Sequence, residues 1–443
     1  MSGSELVDIC DRVLDLVGDR AEAAVSAQHD RSGLTRFANS FIHQNVAEES
    51  GKVALRVAVD GRVASASTTR TDDGALEHLV ARTLEAARLV PPDPDYAGLA
   101  PPAAAAASPA WHDETVDATP DDRAAIVRAF VEAGPGLDGA GFCTTTAIDG
   151  AFANTAGQRL QGRFSFAALD GIHRTATADG SGHATSARVS EVDGGAAGAA
   201  AAANATSQDD AVDVEPGHYE VVLRPGCVAN MLVFLGALGF NAKSVADGTS
   251  FVHLGEQQFD ERISWWDDAS DPRAIGYTYD LEGTPKQRVD LVTAGVTTGI
   301  VHDRRTGRKA GVASTGHATG DASIGAVPRN VFMAGGDTSA DDLVAQVERG
   351  LLVTEFHYTR ILDPKTQVVT GLTRNGLFLV EDGRVARPVR NLRFTQSFVA
   401  GLGPGKVLAV GNDVSARLGF GDTVTHVPSV RLASWNFTGG ARG

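Results

Sequence analysis

Val53-Ala54-Leu55-Arg56-Val57-Ala58-Val59-Asp60-Gly61 sets an apolar side chain at every second position from Val53 and then ends on Asp-Gly. Alternation is the period of a strand, and Asp-Gly tolerates the positive φ that a tight turn needs, so the sequence predicts a β-hairpin here. Upstream, Leu6, Cys10, Val13 and Val17 recur at helical spacing, with Ile9 and Leu14 widening the stripe. Downstream, a second helix is predicted from about Gly74 to Leu89. Helix, hairpin and helix in succession predict an α+β fold.

Seven of the 17 prolines fall between Pro91 and Pro120, and an alanine run occupies Ala103 to Ala107, which marks 90–120 as a surface connector. Thr119-Pro120 reads as an N-cap followed by proline in the first helical turn. Residues 142–192 read as short β-like segments with Gly and Asn turns, and Ala196 to Ala205 as a helix. At Glu215-Pro216-Gly217 the pattern changes to a strand, His218 to Leu223, and a buried helix over about 226–240. Two domains are predicted: an N-terminal α+β domain, 1–214, with an antiparallel sheet, and a β-dominated C-terminal domain, 215–443. Ala294-Gly295 and Asp382-Gly383 are hairpin turns in the second.

A chain of 443 residues with 43% hydrophobic side chains supports a sizeable core. Its formal charge of −16, with no local basic patch, argues against nucleic acid as a partner. Cys10, Cys143 and Cys227 are odd in number and far apart, which fits neither a disulfide framework nor a metal clip. Glu5, Asp8, Asp11 and Asp15 are unlike a secretory leader. The apolar run Val228 to Phe240 is shorter than the roughly 18 residues that span a bilayer. A cytoplasmic protein without a membrane partner is expected.

A zinc hydrolase commonly sets two histidines one helical turn apart with a glutamate as base. None of the 12 histidines has another four or five residues away; the nearest patterns are His253 with Glu256, Glu355 with His357, and His302-Asp303. Gly320-Asp-Ala-Ser323-Ile-Gly325 has one residue too many for a serine nucleophile elbow. Gly401-Leu-Gly403-Pro-Gly405-Lys406 lacks the spacing and hydroxyl of a phosphate loop and reads as a turn. Cys227 at a helix start reads as a packed small hydrophobe. No catalytic residue is assigned.

Further information comes from a resemblance. Glu282-Gly-Thr-Pro-Lys-Gln-Arg288, Ala294-Gly295, Gly299, Asp303 and Ser314-Thr-Gly-His317-Ala are similar to the central signature of the TldD/PmbA family. Leu351 to Glu355, Asp363-Pro, Thr370-Gly-Leu-Thr-Arg374-Asn-Gly376, Glu381-Asp-Gly383 and Asn391 to Phe394 resemble its C-terminal blocks. The segment from Ala21 to Leu99, with Ala64-Ser-Ala-Ser67 and Pro94-Asp95-Tyr96, is similar as well.

The resemblance implies a two-subunit zinc metallopeptidase in which TldD carries a helical His-Glu-x-x-x-His and a late Cys, while TldE, also called PmbA, completes a peptide-holding chamber. At the corresponding place this chain has Val233-Phe234-Leu235-Gly236-Ala237-Leu238, and no cysteine follows Cys227. These side chains offer no lone pair to a metal. The chain therefore resembles the TldE side: a metal-free, dimer-forming subunit that pairs with a zinc-bearing TldD-like partner to act on unfolded or small peptides, and forms a homodimer when alone. Peptide contact falls to Glu282, Thr284 and Arg288, to His317 where the family often has Asn, and to Glu355 and His357. The Glu282 block also reads as turn chemistry, with Gly283 and Pro285 shaping a bend and Arg288 pairing an acid. Two rivals remain: a regulatory binding protein, and a stand-alone amide hydrolase or tailoring enzyme built from His302, His317, Glu282 and His357.

Overall fold

The computed structural model describes residues 1, 3–419 and 423–440. Residues 420–422 and 441–443 of the predicted C-terminal domain lie outside the described residues. Helix α1 (Gly3–Val17) leads to strands β1 (Glu22–Ala38), β2 (Phe41–Val59) and β3 (Arg62–Thr68), and then to α2 (Asp73–Leu89). Asp60 and Gly61 join β2 to β3 at φ 51° and 74°, the turn geometry that Asp-Gly predicts. After the connector and the one-turn helix α3 (Asp113–Val116) comes α4 (Pro120–Glu132). It opens on a capping box between Thr119 and Asp122. Strands β4 (Asp138–Asn154), β5 (Arg159–Arg174) and β6 (Asp179–Ser186) and helix α5 (Gly194–Thr206) complete this part. Among the described residues the strands form one antiparallel sheet in the order β3-β2-β1-β4-β5-β6.

Both faces of this sheet are covered. Odd-numbered residues such as Val25, Val53 and Leu55 pack against Leu6, Cys10 and Val13 of α1, and Cys143 and Leu169 against Phe130 of α4 and Ala197 of α5. Even-numbered Ile148, Phe152, Phe164 and Phe166 meet Ile275, Tyr277 and Tyr279 from the C-terminal half. The span 142–192 therefore departs from the short segments expected, since β4 and β5 run 17 and 16 residues. Several of its glycines, expected in turns, lie inside strands. A Cβ at Gly162 would sit 2.7 Å from both Tyr277 and Tyr279, and one at Gly171 2.7 Å from Phe130, so these positions are where a ring presses on the sheet. Burial on two faces removes the polar alternation by which a strand is read.

The C-terminal half begins with β7 (Gly217–Leu223) and α6 (Pro225–Leu238). Its further strands are β8 (Trp265–Asp267), β9 (Val289–Thr293), β10 (Val296–Thr297), β11 (Asn330–Met333), β12 (Arg349–Asp363), β13 (Val368–Glu381), β14 (Arg384–Pro388), β15 (Leu392–Ser397), β16 (Val407–Val410), β17 (Ser415–Leu418), β18 (Val424–Val427) and β19 (Val430–Gly440). One sheet runs β10-β9-β8-β11-β18-β17. The other closes on itself: β12 pairs with β7 and β13, β7 with β19, β19 with β15, and β15 with β13. Closure gives each strand of the ring a neighbour on both sides, and β14 and β16 flank it on β13 and β19. Val221, Leu351, Val369, Phe394 and Trp435 of this ring share one core with Val228, Leu232 and Leu235 of α6.

Helix α6 is only partly the buried helix expected. Cys227, Val228, Met231, Leu232 and Leu235 are enclosed, whereas Val233, Phe234 and Leu238 are half-buried on its other side. Among the described residues no helix is long and apolar enough to cross a membrane.

Candidate functional site

The half-buried side of α6 forms the floor of a cavity of about 360 Å³ where the N-terminal sheet meets the C-terminal half. Ala229, Asn230, Val233 and Phe234 supply the floor, Asp170 and His183 one wall, and Glu355, Arg417 and Thr425 the rest of the polar lining. Asp170 of β5 and His183 of β6 are direct partners in the antiparallel ladder, so the pleat points both side chains to one face. His183 Nδ1 lies 3.4 Å from an Asp170 carboxylate oxygen and Nε2 lies 3.5 Å from Glu355 Oε1. Burial alone would lower the His183 pKa, but the two carboxylates outweigh it and Arg417's opposing charge, leaving it raised.

Glu355 reaches this place because residue 226 is glycine. A Cβ there would sit 2.1 Å from Glu355 Oε2, so the carboxylate lies against the first turn of α6, where the helix dipole favours negative charge. Two polar atoms in the lining, Asn230 Oδ1 and Arg417 Nε, are buried without a hydrogen-bond partner. Beneath the floor, Cys227 is fully buried; desolvation first and the Glu355 charge second push its thiol far above the usual range, which makes it a poor nucleophile. The cavity thus combines a mostly apolar floor with an imidazole held between two acids, and with one acceptor and one donor left open. Such a lining can hold a polar chain but presents no activated nucleophile.

Zinc does not fit these residues. Val233 and Phe234 bring no lone pair to the cavity, and Asp170 and Glu355 approach opposite nitrogens of the His183 ring, so the three groups do not converge on one ion. Among the described residues no group of three or more His, Cys, Asp or Glu could hold a metal ion.

Of the residues assigned from sequence, Glu355 lines this cavity and the others do not. Glu282 faces a separate cavity of about 250 Å³, where it lies 3.3 Å from Arg56 and accepts from the Arg304 backbone N–H at 3.0 Å, tying β2 to the helix Arg304–Ala310. Thr284 donates its backbone N–H to Asp280, while its hydroxyl is buried without a partner. Asp280 accepts from the backbone of Glu282, Thr284 and Ala318; burial, and then Glu282, push its pKa up to about 6. Arg288 pairs with Asp290 at 2.8 Å and covers the Trp266 ring. His317 is enclosed, with Nδ1 3.0 Å from the Thr315 hydroxyl and Nε2 2.9 Å from Asp267. His357 lies 2.8 Å from the Arg374 guanidinium at another cleft. Glu282 and His357 line two different cavities, and His302 and His317 line neither of them.

Asp170, His183, Asn230 and Arg417 were outside the sequence-derived set. Twelve residues separate Asp170 from His183 and no local motif joins them; strand register was the one signal available, and it was hidden by the glycine-rich strands.

The model of the PmbA/TldA metallopeptidase C-terminal domain matches residues 216–439, and that of PmbA/TldA metallopeptidase domain 1 matches residues 23–87. The chain belongs to the TldD/PmbA family. A metalloprotease of Methanothermobacter thermautotrophicus is 27% identical over 213 residues, 46% of this chain and 45% of that protein. The chain thus aligns with less than half the length of this relative. Two solved structures share the fold nearly end to end. TldE from Thermococcus kodakarensis has a TM-score of 0.85 at 17% identity, covering 99% of this chain and 100% of that one. A Thermotoga maritima protein described as a candidate modulator of a DNA gyrase has a TM-score of 0.86 at 20% identity, covering 97% and 99%. At these identities the likeness speaks for the fold alone.

Proposed function

We propose that this TldD/PmbA family member is the metal-free, TldE-like half of a cytoplasmic peptidase, holding unfolded or small peptides while a zinc-bearing TldD-like subunit cuts them. The observation that carries the reading is the half-buried, cavity-facing side of α6. It faces a cavity with Asn230, Val233 and Phe234, which bring packing and an amide but no metal-binding donor set. Asn230 Oδ1 and Arg417 Nε, both without protein partners, suit the backbone of an extended peptide, whose N–H and C=O groups need an acceptor and a donor. Alone, the chain is expected to form a homodimer, which exchanges for the heterodimer when the partner is supplied.

Peptide turnover is to be compared for this chain alone, a TldD-like subunit from the same cell alone, and the mixture, with metal content measured by inductively coupled plasma mass spectrometry. Turnover that a chelator stops and that needs the mixture supports the proposal, with zinc far below one ion per copy of this chain. Stoichiometric zinc on the isolated chain, or turnover by it in chelator, would replace the proposal with an autonomous enzyme.

A further inference from the structure

The guanidinium of Arg374 has an unusual partner. Its Nη1 lies 2.8 Å from His357 Nε2, and because a guanidinium only donates, the imidazole must accept through Nε2 and carry its proton on Nδ1. A neutral ring orients the guanidinium without cancelling its charge. Arg374 takes part in none of the ion pairs formed among the described residues, whereas Arg174 and Arg390, which line the same cleft, are neutralised by Asp179 at 2.6 Å and Asp213 at 2.6 Å. The cleft measures about 660 Å³ and is lined further by Thr373, Asn375 and Asn391; Asp210 also lies on its wall.

The backbone around the pair is shaped to present it. The β12–β13 ladder shifts register between Val353 and Glu355 and again between His357 and Arg360. Asn375 and Gly376 take φ 57° and 143°, and Tyr358, next to His357, takes φ 54° and is 67% exposed, with the Arg360 guanidinium over its ring. A left-handed backbone at an aromatic residue is costly, and here it turns an apolar ring outward beside the cleft. Burial, then the Arg374 charge, lowers the His357 pKa, in keeping with a neutral acceptor.

We propose that this cleft is a carboxylate-binding site in which Arg374, positioned by His357, takes the C-terminal or acidic side-chain carboxylate of a peptide. A guanidinium with one edge spent on imidazole keeps further N–H donors for a bidentate pair, and Thr373, Asn375 and Asn391 offer neutral hydrogen bonds around it. This rests on the peptide-holding role proposed above and adds the class of peptide end that is recognised.

Isothermal titration calorimetry on the full chain tests it with three probes: acetyl-Ala-Ala-Phe with a free C-terminus, its C-terminal amide, and an amide with glutamate in place of one alanine. The free acid is expected to bind about tenfold or more tightly than the first amide, a margin typical of a charged hydrogen bond. Recovery of binding by the glutamate peptide assigns the site to any carboxylate, and failure to recover assigns it to chain ends. Arg374→Gln should abolish the discrimination and Arg374→Lys keep part of it. His357→Gln, which retains an acceptor, should stay within about threefold of wild type, while His357→Leu should fall to the level of Arg374→Gln. Circular dichroism melts show whether each variant is folded. Equal affinity for acid and amide overturns the inference and leaves peptide holding intact; absence of binding by any probe overturns it as well, and partner-dependent turnover then judges the wider role on its own.

Discussion

His183 of β6 meets Glu355 of β12 across the seam between the two halves of the chain, with Nε2 3.5 Å from Oε1. The same imidazole lies 3.4 Å from Asp170 on its own sheet. One ring therefore links the N-terminal sheet to the closed sheet of the C-terminal half, and the link is strongest when the ring is charged.

That charge gives stability a sign with pH. The folded-state pKa of His183 is raised above its unfolded value, so its contribution is complete below about pH 6.5 and is lost as pH rises through the higher folded value. Thermal melts of wild type and His183→Gln should differ most near pH 5.5 and converge by about pH 8.5, a window chosen around the ordinary histidine pKa. A gap that is constant over this range would show that the imidazole is not the group responsible.

Gly162 tests the packing of β5 on the C-terminal half. Its missing side chain leaves room for Tyr277 and Tyr279, and a Cβ would lie 2.7 Å from each ring. Gly162→Val should cost about 1–3 kcal/mol through overpacking, read as a lower denaturation midpoint with an unchanged slope. A midpoint equal to wild type would mean that the two rings move away freely.

The same glycines explain how much of the fold could be read in the sequence. Helix α1 and the β2–β3 hairpin were legible because one face packs and the other meets water, leaving the period of the element in the residues. Strands β4 and β5 were not, because Ile148 and Phe152 alternate with Ala147 and Ala151, all buried, and glycines stand where rings press on the sheet. The cavity was legible only at Glu355 and along α6. Asp170, His183 and Arg417 arrive from three different strands, and spacing along the chain carries no trace of that meeting.

Helix α6 divides into a structural side and a cavity side. Leu235 is fully buried in the main core, so Leu235→Ala should cost about 2–5 kcal/mol. Val233 is half-buried at the cavity, and Val233→His should cost under about 1 kcal/mol, since a polar ring there can reach solvent. Urea titration of both variants checks the division; equal losses would place Val233 in the core.

Gly226 separates the seam contact from general stability. A Cβ at this position would fall 2.1 Å from Glu355 Oε2, so Gly226→Ala must displace the carboxylate and break its approach to His183. Alanine is also the better helix former by about 0.5–1 kcal/mol, which offsets much of the loss. The melting temperature above the raised folded pKa of His183 should therefore hold or rise, while the pH dependence on the alkaline side of about pH 5.5 shrinks towards that of His183→Gln. In the double variant the two changes should fall short of additivity, because both remove one interaction. Full additivity of Gly226→Ala and His183→Gln across this range would mean that Glu355 does not carry the His183 shift, leaving Asp170 as its source.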